Sequence, residues 1–229
     1  MTYLGDLKKT QIIDQLFQVD LGDRDAVWKK QFLDNVAEAS FRCRDPQLIT
    51  GPDGFPYFAL DLPEPYKEFQ CFVVKHMIDD FILAKGCGIV FEAEPASAQW
   101  VFSYGDLLNF HLSGQFYSEE NASSTDEEEP KGTVLLGQPS ENFLPKAARA
   151  VLRSYLAAYQ ATNPRVLLMT RQNQPTPSQE LIFELDETQF ATPELHDQAR
   201  QRISWFLPRH YRYSTIGLNS SFSSMMEPL

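Results

Sequence analysis

The chain reads as an α+β protein, an irregular N-terminal α/β domain followed by a ferredoxin-like β-α-β-β-α-β domain. Three observations predict this. Helical spacing of apolar residues alternates with short apolar runs that suit strands. One stretch, 118–130, carries six acids and no base and has no aliphatic residue larger than Ala, so it divides the chain at 1–117 and 131–229. Beyond it, the patterned segments follow in the order strand, helix, strand, strand, helix, strand.

The C-terminal part is the more legible. Thr133 to Leu136 is a short apolar run stopped by Gly137-Gln138-Pro139. From Pro145 to Tyr159, Ala148, Val151, Leu152, Tyr155, Leu156 and Tyr159 fall on one helical face, and Asn163-Pro164 ends that helix. Arg165 to Thr170 and Glu180 to Leu185 are further strands around a proline-bearing loop. Thr192-Pro193-Glu194 offers an N-cap, a proline at the first helical position and an acid in the first turn. That helix runs to Pro208, and Tyr211 to Ile216 is the last strand. Leu135, Leu167 and Ile182 from strands and Leu152 and Ile203 from helices are the expected core.

In the N-terminal part, Ile12, Ile13, Leu16 and Phe17 mark a helix. A second begins at Asp25 and carries Trp28, Phe32, Val36 and Ala39. Gly51-Pro52-Asp53-Gly54 turns into a strand over 55–60, expected at a sheet edge because of Pro56. A helix over roughly 68–84 is closed by Lys85-Gly86. Strands follow at 88–91 and 99–103, then a short helix over 106–111. No internal repeat connects the two parts.

Composition bounds the function. With 43% hydrophobic residues, 17 Phe, 9 Tyr and 3 Trp, the chain can build packed cores. The net charge of −11 repels phosphate backbones, and no Lys/Arg stripe interleaves with aromatics, so no nucleic-acid partner is expected. Three cysteines without CxxC spacing fit a reducing compartment. No signal peptide is evident at the start, and the most apolar stretch, 78–91, is too short and too charged to span a bilayer. The expected location is the cytoplasm, without membrane association.

No catalytic motif stands out. His76, His111, His196 and His210 form no HxxxH or HExxH pair, and no metal or cofactor is expected. Cys87 lies between Gly86 and Gly88, but a helix C-terminus disfavours a thiolate, and the glycines suit a helix stop and a strand start. Glu92 and Glu94 share one strand face and form a candidate carboxylate pair. Aromatics crowd the N-terminal part, and Trp100, Phe102 and Tyr104 are the candidate contact residues for a ligand or partner. Trp100 and Phe102 share a face and Val101 holds the other, so alternation leaves both packed and exposed readings open.

Residues 134–218 resemble the C-terminal domain of SseB-type, enhanced-serine-sensitivity proteins. The resemblance rests on the opening Val134-Leu135-Leu136-Gly137-Gln138-Pro139-Ser140-Glu141, the helix from Pro145 to Tyr159, and strands at 166–170 and 181–185 with the ending near Ile216. That family's name records a phenotype, so the resemblance implies a fold and no catalytic residues. The expected function is non-enzymatic, an accessory or regulatory protein that binds another protein or a small metabolite. The alternative is a hydrolase or transferase with a site between the two parts, using Glu92, Glu94 or Cys87.

Overall fold

The computed structural model describes residues 4–92, 97–118, 133–172, 177–218 and 220–229. They form two compact units, Met1–His111 and Leu112–Leu229. Both helices and sheets are present in each, which is the α+β class. The candidate Glu94 and residues 119–130 of the acidic stretch lie outside the described residues.

In the first unit, α1 (Leu7–Phe17) starts where the Asp6 carboxylate accepts the backbone N–H groups of Lys8 and Lys9. Asp25 does the same for Trp28 at the start of α2 (Ala26–Val36). The two helices bury Ile13, Leu16 and Phe17 and Trp28, Phe32 and Val36 respectively. Next comes β1 (Arg42–Thr50), which periodicity does not predict. It carries charges and Pro46, and its residues are half-buried or exposed, so it has no apolar alternation.

Its partner β2 (Pro56–Asp61) is a correction to the sequence expectation, because it lies inside the sheet order β1-β2-β3-β4 and not at an edge. Pro56 is the first residue of the strand, opposite Thr50 at the hairpin end, so its missing N–H removes no interior rung. Five of its six residues are buried. The helix expected from residue 68 begins only at Val74, since Phe72 exchanges both main-chain bonds with Phe41. It runs as α3 (Val74–Met77), a π-helical turn (Ile78–Ile82) and α4 (Leu83–Lys85), and closes on Gly86 at φ 71°.

That helical crossover returns the chain as β3 (Gly88–Phe91), parallel to β2, and β4 (Trp100–Phe102) adds antiparallel to β3. A capping box starts α5 (Tyr104–Ser113). Ser103 N–H donates to Asp106 Oδ2 at 3.0 Å, and Asp106 N–H donates to Ser103 Oγ at 3.1 Å.

The second unit contains β5 (Val134–Gly137), α6 (Lys146–Ala158), β6 (Arg165–Arg171), β7 (Ser178–Glu184), α7 (Pro193–Arg202), β8 (Arg212–Ile216) and β9 (Glu227–Pro228). The succession β-α-β-β-α-β is as the sequence predicts, but the sheet order is sequential, β5-β6-β7-β8. In a split β-α-β unit the strands flanking a helix are separated by another strand. Here β5 and β6 are direct antiparallel neighbours and β7 and β8 are direct parallel ones. The ferredoxin-like topology is therefore not the one these strands form. Apolar runs identify strands but carry no information on which strands are adjacent, and this is where the expectation failed.

Leu152, Leu167, Ile182 and Ile203 are buried as expected, whereas Leu135 is 49% exposed because β5 is a four-residue edge strand. One face of this sheet is covered by the C-terminal segment, with Phe222 and Met226 packed on Leu167, Met169 and Ile182. Arg165 pairs there with Glu184, which is 2% exposed, and the Ser223 hydroxyl donates to Glu184 at 2.5 Å. Although the sequence shows no repeat, the units share a plan. In each, an antiparallel hairpin leads through a helix to a parallel third strand, β1-β2-β3 and β6-β7-β8.

Candidate functional site

Of the aromatic candidates, Phe102 and Tyr104 are fully buried, and Val101 on the opposite face is 40% exposed. The contact-site expectation is corrected for these two residues. Register explains the choice of face. Phe102 lies opposite Ile89 and Trp100 opposite Phe91, so both rings share the side on which α2 packs. Trp100 is partly covered, with ring centres 4.9 Å from Phe32 and 5.6 Å from Trp28. The Tyr104 hydroxyl donates to the Leu83 carbonyl at 3.0 Å, and burial holds its proton well above the ordinary phenol range. Phe102 and Tyr104 belong to the core of the first unit, and Trp100 packs at its margin.

Cys87 is 2% exposed, and burial pushes its thiol up to about 11. Its neighbours have structural reasons to be glycine. Gly86 adopts the left-handed conformation at the helix end. A Cβ on Gly88 would lie 2.4 Å from the Phe102 carbonyl and 2.7 Å from the Tyr57 ring. His111 Nδ1 lies within hydrogen-bond distance of Asp79 Oδ1, at 2.7 Å, and His196 Nε2 lies 3.3 Å from the Leu185 carbonyl. Among the described residues, no group of three or more His, Cys, Asp or Glu side chains is placed to hold a metal ion.

The structure does gather charged side chains at one place. The parallel strands β2 and β3 end together at Asp61 and Phe91-Glu92, and the start of β1 lies antiparallel beside Asp61. In open α/β sheets the crevice outside the carboxyl ends of parallel strands is where ligands bind. Here that crevice is a groove of about 380 Å³. Its walls carry Asp14 and Gln18 from α1, Arg42 and Arg44 from β1, Asp61 from β2 and Glu92 beyond β3. Glu64 and Gln99 complete it, and a recess of about 210 Å³ with Cys43 and Phe69 adjoins it through Arg42 and Glu64.

Arg42 is already committed within the groove. Its guanidinium lies 3.1 Å from Asp61 and 3.6 Å from Glu64, and its Nε donates to the Leu62 carbonyl at 3.1 Å. Arg44 reaches Asp61 at 3.7 Å. Among the described residues, four carboxylates thus face two guanidinium groups. Glu92 carries the imbalance. Its carboxyl is held above the usual range, first by burial and then by the charges of Asp61 and Asp14. The Leu62 N–H and Arg44 act in the opposite direction. Glu92 also has a left-handed backbone, φ 44°, held by its N–H bond to the Leu60 carbonyl at 2.8 Å. For a residue with a Cβ, this conformation costs about 1–3 kcal/mol, and such outliers cluster at functional sites.

The sequence singled out Glu92, with Glu94 as its partner, but missed Asp14, Arg42, Arg44 and Asp61. The partner that the described residues supply is Asp61, from the neighbouring parallel strand. Arg42 and Arg44, two apart around Cys43, carried a usable signal, since such spacing puts two cations on one strand face. Comparison with protein-family models, with curated proteins and with solved structures returns no match. The geometry of the groove is therefore what informs function.

Proposed function

We propose that the chain is a non-enzymatic accessory protein of the cytoplasm, whose first unit binds a small cationic metabolite in the groove at the ends of β2 and β3. The observation that carries this reading is Glu92, strained in its backbone and held half-buried among carboxylates. A primary amine or guanidinium between Glu92, Asp61 and Asp14 would offset that repulsion with charge-assisted hydrogen bonds. Burial of a carboxylate excess stabilises nothing in the empty protein, whereas it favours a cation strongly.

The state of Cys87 removes it as the nucleophile of the hydrolase or transferase alternative. A thiol that burial pushes up to about 11 and closes to solvent is no nucleophile at neutral pH. A cytoplasmic location is compatible with the finding that no helix among the described residues is long and apolar enough to cross a membrane. The resemblance of residues 134–218 to SseB-type proteins belongs to the same proposal and adds no chemistry to it.

The test is calorimetric titration with a panel of small amines, diamines, guanidines and carboxylic acids. Saturable binding confined to the cationic compounds, and lost in Glu92→Gln with the fold unchanged by circular dichroism, is expected. Binding of the carboxylic acids instead, or equal binding by Glu92→Gln, would sink the reading.

A further inference from the structure

The first unit's sheet ends on edges that resist further pairing. β1 carries Pro46 and a register shift between Cys43 and Leu48, and β4 is three residues long. These are ordinary devices against strand addition. In the second unit, β5 is four residues long and is ended by Gly137 and Pro139. β8 is different. Among the described residues it pairs only with β7, and Arg212–Ile216 contains no proline, glycine or lysine.

The ladder shows which of its groups are spare. Leu185 N–H donates to the Ile216 carbonyl, in register with Glu184 opposite Ile216. In a parallel ladder alternate residues turn both main-chain groups to the same neighbour, so Arg212, Ser214 and Ile216 face β7. The N–H and C=O groups of Tyr213 and Thr215 are thereby directed to the open edge. Beside that edge runs a groove of about 490 Å³, lined by Tyr213, Ser214 and Thr215 and by Asp197, Arg200 and Gln201 of α7.

We propose that β8 is a dimerisation edge, and that its occupant is β8 of a second copy of this chain. An isologous contact requires a surface complementary to itself. Antiparallel pairing about a two-fold axis at Ser214 sets Tyr213 opposite Thr215 of the second copy, on both sides of the axis. Those outward groups can then form about four main-chain bonds. The same axis makes the two α7 helices antiparallel, which brings Asp197 toward Arg200 of the other copy, twice.

The charge pattern favours this occupant over a strongly charged peptide, since the groove wall presents one acid and one base. Within one copy Asp197 and Arg200 lie 3.6 Å apart with side chains 63% and 45% exposed, a loose pair that can exchange partners. The contact is built wholly from the second unit, whereas the ligand groove is lined by residues of the first.

Sedimentation equilibrium of the full chain over a range of concentrations tests it, with three variants. The wild type is expected to self-associate to a dimer. Thr215→Pro removes only an outward N–H and leaves the β7 ladder intact, so it should abolish the dimer while circular dichroism is unchanged. Arg200→Asp sets acid against acid twice and should raise the dimer Kd about tenfold. The swap Asp197→Arg with Arg200→Asp should restore the wild-type Kd. A wild type that stays monomeric throughout, a dimer indifferent to Thr215→Pro, or a swap no better than Arg200→Asp would each overturn the proposal.

Discussion

Replacing Phe32 by Ala removes the hub of the first unit. Its ring is fully buried, and its centre lies 4.9 Å from Trp100, 5.3 Å from Trp28, 5.9 Å from Phe17, 6.0 Å from Phe91 and 6.1 Å from Phe102. Truncating a buried Phe costs about 3–5 kcal/mol, and a site walled by rigid rings from two helices and two strands cannot collapse onto the cavity. The upper end of the range, about 4–5 kcal/mol, is therefore expected. With a urea dependence of about 2 kcal/mol per molar for a unit of this size, the midpoint should fall by about 2 M. Trp28 and Trp100 flank the cavity, so fluorescence in a Trp205→Phe background should follow this unit, with far-UV circular dichroism as a second probe. Val101→Ala, on the exposed face of β4, should change stability by less than about 0.5 kcal/mol. A Phe32→Ala cost below about 1 kcal/mol, or one smaller than that of Val101→Ala, would refute the inward placement of the aromatic face.

Further outcomes are expected elsewhere. Arg165→Ala leaves the Glu184 carboxylate buried without its cation and should cost about 3–5 kcal/mol, while the double change Arg165→Met with Glu184→Leu should recover most of that. Equal losses in the single and double variants would contradict the pairing. A thiol reagent at neutral pH should label the half-exposed Cys43 and Cys71 in the native protein and reach Cys87 only on unfolding, as peptide mapping would show. Because the folded-state pKa of Glu92 is raised, its ionisation opposes folding above the usual carboxylate range. Glu92→Gln should therefore stabilise the protein at neutral pH, with the gain fading as pH falls into that range. A gain that grows toward acid would have the wrong sign.

Much of the fold was legible because local chemistry announces itself. Asp25, the Thr192-Pro193-Glu194 cap and the Lys85-Gly86 stop all lie at the boundaries they mark. What was not legible depended on contacts distant in sequence. β1 has no apolar period of its own and is a strand through its partner β2. The order of strands in the second sheet rests on pairings such as Val166 with Phe183 and Phe183 with Thr215, which no single segment encodes. The groove was hidden for the same reason, since Asp14, Arg42, Asp61 and Glu92 belong to four separate segments and converge only through the sheet.

The most direct test of ligand binding in the first unit is a backbone amide NMR titration with a small diamine at neutral pH. Saturable shifts concentrated at Asp14, Arg42, Arg44, Asp61, Leu62 and Glu92, and absent in Glu92→Gln, are predicted. Because the cation needs an ionised Glu92, the affinity should fall as pH drops through that residue's raised pKa. Shifts confined to other surfaces, or a titration that leaves Glu92 and Asp61 unmoved, would contradict the assignment of the groove.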